Sequence, residues 1–228
     1  MSATRDETFE GRVPQATPSA AAGGGYDLAC NRPGEAARRR ADEERAARPG
    51  KTLLARLLGV HTDERAWRLG AEGEELVGHE LWKLVAKDPR WRVLHSIPVG
   101  SRGSDIDHLV MGPGGVFTLN AKHHPGARIW AGGNSFLVNG ARQPYLRNSR
   151  HEATRASRLL TSACGFRVDV LGVVVPVNAA DVVVKATAGV QVVNRRQLMR
   201  WLRRRAEVLE LPAIDVISQA ARRSTTWY

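Results

Sequence analysis

Gly103-Ser104-Asp105-Ile106-Asp107-His108-Leu109-Val110-Met111, the turn formers Gly112-Pro113-Gly114-Gly115, and Val116-Phe117-Thr118-Leu119-Asn120-Ala121-Lys122 form the stretch that decides the fold. The flanking segments are rich in β-branched and apolar residues, and the middle one is built of residues that reverse a chain, so the run reads as a β-hairpin. With residues 112 to 115 as the loop, Met111 pairs with Val116, Asp107 falls opposite Asn120 and Asp105 opposite Lys122. Alternation then projects Asp105, Asp107, Asn120 and Lys122 from one face. Paired Cβ atoms lie roughly 5 Å apart, close enough for two oxygen ligands to share a cation. A loop longer or shorter by one residue would turn one strand's set to the opposite face.

Outward from the hairpin, the sequence alternates helical and extended patterns. Trp91 to Val99 reads as a strand, and Asp88-Pro89 stops a long helix that begins after Thr62, a suitable N-cap, and runs to about Ala86. Leu53, Leu54, Leu57 and Leu58 before it recur at helical spacing. After the hairpin, Ala127 to Trp130 and Phe136 to Asn139 bracket Gly132-Gly133-Asn134 as a second hairpin. Pro144 opens a helix to about Ala163 with two faces. Arg147, Arg150, His151, Arg155 and Arg158 share one arc, and Leu146, Ala153, Ala156, Leu159, Leu160 and Ala163 the other. Val168 to Val177, Val182 to Val184 and Val190 to Val193 read as strands covered on both faces. Asn194 caps a last, arginine-rich helix to about Leu209, which extends the positive surface. This order predicts an α/β sandwich around a mixed sheet.

Residues 1 to 50 carry almost no large apolar side chains and are expected to form a disordered tail; Glu35 to Arg48 has helical composition but no apolar stripe to dock. Residues 51 to 228 are then one domain, with its core over about 65 to 205. No apolar run approaches the roughly 20 residues that span a bilayer, and the start lacks a signal-peptide pattern, so a cytoplasmic protein without membrane contact is expected. Two cysteines, Cys30 and Cys164, support neither a disulfide framework nor a thiolate zinc site.

The net charge of +11 is unevenly distributed. Residues 1 to 50 balance 8 arginines against 8 acids, and residues 51 to 122 hold 10 basic and 9 acidic groups. Residues 123 to 228 hold 16 basic and 6 acidic groups, so nearly all the surplus follows Lys122. A region this basic suits a polyanion such as nucleic acid, with Arg147, Arg150, Arg155 and Arg158 as the candidate phosphate contacts.

Hydrolysis of a phosphodiester needs a cation to offset developing charge, a positioned water and stabilisation of the leaving oxygen. Asp107 is the candidate ligand for Mg²⁺ or Mn²⁺, with Lys122 beside it to orient water and balance phosphate charge. The chain holds 29 arginines and 5 lysines, so a lysine at 122 marks a place where a compact ammonium is wanted. Glu74 follows two glycines, Gly70 and Gly73, that hint at close packing, and it precedes the apolar Val77 and Leu81; it is a candidate third acid facing the sheet. His108, His123 and His124 match no zinc spacing.

Gly70-x-x-Gly73-Glu74, Asp105-Ile106-Asp107-His108-Leu109-Val110, Gly112-Pro113-Gly114-Gly115-Val116-Phe117 and Asn120-Ala121-Lys122 together resemble the nuclease-related domain (NERD) family. That family lies within the PD-(D/E)XK nuclease superfamily. The resemblance implies a restriction-endonuclease-like mixed sheet flanked by helices and Mg²⁺-dependent cleavage of DNA or RNA. It also implies Asp107 as the first acid, Lys122 as the lysine and Glu74 as the helix glutamate. One position departs: the acid expected two residues before the lysine is Asn120, whose amide oxygen can coordinate a metal without bringing charge. Two readings follow, a metal-dependent nuclease using Asp107, Asn120, Lys122 and Glu74, or a nucleic-acid-binding module that kept the fold and lost its metal.

Overall fold

The computed structural model describes residues 25–47, 63–100 and 104–228. The central hairpin closes in the expected register, with Met111 paired to Val116 and Gly112 to Gly115. Its strands are β2 (Ser104–Gly112) and β3 (Gly115–His123), and β1 (Arg92–Val99) pairs antiparallel with β2. Later in the chain, β7 (Val170–Val177) adds parallel to β3, and β9 (Val190–Val192) parallel to β7. The result is a mixed sheet in the order β1-β2-β3-β7-β9. A smaller sheet holds β4 (Arg128–Gly133), β5 (Ser135–Val138), β6 (Ala141–Gln143) and β8 (Asp181–Thr187), in the order β6-β5-β4-β8.

Helices cover both faces of the five-stranded sheet. On one side α2 (Asp63–Lys87) and α4 (Arg195–Arg203) bury Val77, Leu81, Leu84, Leu198 and Leu202 against Phe117, Leu119, Val173 and Val175. On the other, α3 (Tyr145–Cys164) and α5 (Leu211–Arg222) bury Ala156, Leu160, Ile214 and Ile217 against Ile97, Leu109 and Met111. The molecule is thus the mixed α/β sandwich that the pattern predicts. Among the described residues no helix is long and apolar enough to cross a membrane.

Several expectations are corrected. The region read as a tail divides: residues 1–24 and 48–50 lie outside the described residues, whereas 25–47 pack onto the domain. Helix α1 (Glu35–Ala47) docks on α2 with an alanine stripe, burying Ala37 and Ala41, because small side chains let two helices approach without a large apolar face. Leu28 is fully buried as well, in the cluster with Ile97, Ile214 and Trp227, which fastens the start of the segment to the other face of the sheet by about 1.5–3 kcal/mol. The leucines at 53–58 and Thr62 lie outside the described residues.

The valines of β8 are not covered on both faces: Val183 and Val184 are exposed because β8 is the edge of the smaller sheet. The last arginine-rich helix ends at Arg203, not near 209. There the Val208 and Leu209 amides donate to Pro113 O at 2.7 and 3.1 Å, drawing the chain onto the hairpin turn. Pro212 then opens α5, which the periodicity did not reveal. Helices α3 and α4 lie on opposite faces of the sheet, so their arginines form two separate basic surfaces.

Candidate active site

The site forms where β2 and β3 part. Their ladder ends at His108 and Leu119, and beyond it Lys122 pairs with Pro176 of β7, not with Asp105. The β1–β2 ladder passes over Ser96 and Asp107, where Ser96 adopts a left-handed φ of 46°. Ile106 joins the same core cluster as Leu109 and Met111, which strict alternation would forbid, so the facing of side chains slips by one near Asp107. Asp105 accepts a 2.9 Å hydrogen bond from Arg40 of α1, while Asp107 reaches across the gap to accept one of 2.8 Å from the Ala121 amide.

Three carboxylates surround Lys122. Glu74, on the buried face of α2, accepts a 3.1 Å hydrogen bond from the Gly34 amide through Oε2. Burial, then the charges of Asp107 and Asp105, push its carboxyl up to about 9. Asp107 is pushed up to about 6 by burial, although Lys122 and the Ala121 amide pull the other way. The third acid is Glu152 of α3, raised to about 8 by burial and then by Asp107, against the hydrogen bond from Asn120 and the charge of Lys122. Lys122 itself lies over the Tyr145 ring, with Nζ 5.2 Å from its centroid, a cation–π contact that restricts the ammonium. Gly73 permits the close approach of α2 to β3: a Cβ there would lie 2.8 Å from that of His123. Gly70 meets no such neighbour.

Asn120 and Glu152 form a pair. Asn120 Nδ2 donates to Glu152 Oε2 at 3.2 Å; Asn120 Oδ1 is shut off from solvent without a hydrogen-bond donor, while the Glu152 carboxyl also meets the buried Thr118 hydroxyl. Buried acceptors of this kind are uncommon and ask for an explanation. A cleft of about 500 Å³ opens beside them, with Arg40, Asp105, His151 and Arg155 on its walls.

The structure places Glu74, Asp107, Asn120 and Lys122 in one region; Glu152, which meets Asn120 there, was not foreseen. It is the single acid of α3, and it stands in line with the buried Ser149 three residues before and the buried Ala156 four after. An acid in register with the buried stripe of a basic helix was the available signal. Of the arginine stripe, Arg155 lines the cleft and Arg147 and Arg158 are exposed. Arg150 is instead committed to the protein, donating to Asn134 Oδ1 at 3.1 Å and Ala188 O at 2.6 Å.

Comparison with known families settles the resemblance. The family model described as nuclease-related domain (NERD) matches residues 69–177. Over residues 69–177 the chain is similar to the nuclease-related domain. The matched stretch holds Glu74, Asp107, Asn120, Lys122 and Glu152, and the PD-(D/E)XK nuclease superfamily is its general context. In comparisons with curated proteins and with solved structures, nothing matched. Segment 25–47, which contacts Glu74 and Asp105, lies outside the NERD match.

The donors suit a hard cation held by few protein ligands. Among the described residues no three His, Cys, Asp or Glu side chains gather as a metal cage. Mg²⁺, however, needs no such cage, since it commonly binds through one or two carboxylates and leaves other positions to water and phosphate. The unpartnered amide oxygen of Asn120 near Asp107 fits that requirement. The histidines do not compete for it: His123 donates from Nδ1 to Leu69 O and accepts at Nε2 from Asn178. His124 pairs with Tyr145, and His108 with His95.

Proposed function

We propose that this NERD protein is a metal-dependent phosphodiesterase acting on nucleic acid, with Asp107 and the Asn120 amide oxygen as ligands to Mg²⁺ or Mn²⁺. The observation that carries this reading is the convergence of Asp107, Glu74 and Lys122 at the opening between β2 and β3, inside the nuclease-related match. A bound divalent ion would supply charge neutralisation at the phosphate and a more acidic water. Lys122, held over Tyr145, orients the attacking water and balances the charge that builds on the phosphoryl oxygens. Glu74 holds a proton at neutral pH in the metal-free protein, which lowers the repulsion around Asp107. Arg155 on the cleft wall receives the phosphate backbone.

The test is cleavage of labelled single- and double-stranded DNA and RNA with Mg²⁺ or Mn²⁺, using Asp107→Asn and Lys122→Arg as controls. Metal-dependent cleavage by the wild type, lost in both variants, supports the reading. Asn120 in the place of an acid favours a second reading, a nucleic-acid-binding module without catalysis. It predicts intact substrates together with binding that weakens steeply with salt.

A further inference from the structure

We infer that β8 is an interaction surface for a second copy of this chain: two β8 strands pair antiparallel about Val183 and join the two smaller sheets into one. Dimerisation through β8 requires nothing of the metal site.

Among the described residues β8 is the last strand in the order β6-β5-β4-β8, so its outer edge is unpaired. Such an edge presents a row of amides and carbonyls to any strand that fits. Asp181, Val183 and Lys185 share the outer face of the sheet with Arg128 and Trp130. Asp181 is the register partner of Arg128 and Val183 that of Trp130, and a Cβ on Gly132 would stand 2.8 Å from the Trp130 ring and 3.2 Å from Lys185 Cβ. Val182 and Val184 lie on the inner face, beside Ile129 and Ala131 of the buried cluster. Trp130, Val183 and Val184 are nevertheless 39%, 40% and 42% exposed. Three consecutive valines suit a strand covered on both faces, and one more strand beside β8 supplies the cover that its own sheet lacks.

Charge selects the occupant and its register. With Val183 of each copy on a two-fold axis, Val182 of one copy faces Val184 of the other, and Asp181 faces Lys185 on both sides of the axis. Moving the axis by one residue, to Val182 or Val184, leaves both charges without a partner. An edge lysine ordinarily guards a strand against association. Here the acid that neutralises it lies four positions away, where the two-fold brings it opposite, and both side chains are exposed. Exposed ion pairs of this kind add little energy but fix the register. The attraction comes from removing Val183, Val184 and the neighbouring Trp130 from water.

The experiment is sedimentation of the full-length chain over a range of concentrations, for wild type and for charge variants of the two exposed positions. The wild type is expected to form a reversible dimer. Asp181→Lys and Lys185→Asp each turn two attractive pairs into two repulsive ones, and each is expected to weaken the dimer by at least about tenfold. An equimolar mixture of those two variants sets lysine against aspartate again and is expected to recover the dimer, as is the double variant Asp181→Lys/Lys185→Asp. On mild oxidation Val183→Cys is expected to give a disulfide-linked dimer and Val184→Cys no more than wild type, because directly opposed residues lie within disulfide reach and residues offset by two do not. A monomeric wild type, with or without a strand of another protein on β8, overturns the inference. So does a dimer insensitive to both charge variants, or one in which Val183→Cys fails to cross-link.

Discussion

The backbone amide of Gly34 donates a 3.1 Å hydrogen bond to Glu74 Oε2, tying the segment before the NERD match to one of its clustered carboxylates. Gly34 has a φ of 74°, and a Cβ there would stand 2.8 Å from the Ala71 carbonyl oxygen. Gly34→Ala is therefore expected to destabilise the docking of α1 by about 1–3 kcal/mol. Hydrogen exchange checks this: amides over residues 35–47 exchange faster in the variant while those of β2 and β3 do not. Unchanged protection in α1 would show that the Gly34 contact does not hold the segment.

Arg155 and Arg150 lie on one helix but have different roles, and nucleic-acid binding separates them. Arg155 lines the cleft, so Arg155→Ala is expected to weaken binding and lower the slope of log affinity against log salt by about one. Arg150 donates to Asn134 and Ala188, so Arg150→Ala is expected to lower the melting temperature with a smaller change in that slope. Equal slopes for Arg155→Ala and wild type in salt-titrated binding would remove Arg155 from the interface.

Stability should depend on pH in a direction the carboxylates set. Glu74 and Glu152 are raised to about 9 and about 8, so the folded metal-free protein binds more protons than the unfolded chain above the ordinary carboxylate range. Their contribution is fully present below about pH 4.5 and is lost as pH rises through those values. Melting temperature without divalent ions is thus expected to fall between about pH 5 and pH 9, less steeply in Glu152→Gln. Parallel curves for wild type and variant would contradict the placement of Glu152 among like charges.

Lys122 is the group least replaceable by arginine, although arginine outnumbers lysine nearly sixfold, 29 to 5. A guanidinium can stack on Tyr145 but spreads its charge over a plane and stays protonated, whereas the ammonium offers a compact charge with an adjustable proton. Lys122→Arg is expected to reduce cleavage by about 10²–10⁴-fold, with binding kept within a few-fold. Single-turnover rates beside equilibrium binding check both halves, and retained cleavage would show that only positive charge is needed there.

The hairpin register, the long helix and the two-faced helix α3 were legible because turn chemistry and local periodicity dictate them. Convergence of Glu74 with Asp107 and Lys122 followed from the same elements. The rest depended on contacts distant in sequence. The slip at Asp107 needs the left-handed Ser96 on a neighbouring strand, and Asp105 is taken by Arg40 from a segment whose alanines gave no hydrophobic signal. Glu152 was hidden among arginines because periodicity sorts residues by face but does not say which polar side chain a partner across the sheet will hold. Helix α5 was missed because the chain between it and the preceding helix is held to Pro113 through the Val208 and Leu209 amides, hydrogen bonds that only the fold creates.

The central claim is that the gap between β2 and β3 holds a divalent ion. Anomalous diffraction from a Mn²⁺-soaked crystal tests it most directly. The account predicts a peak coordinated by Asp107 and the Asn120 amide oxygen, with Lys122 beside it. Well-ordered side chains there with no anomalous density, or Mn²⁺ bound only elsewhere on the molecule, would contradict it.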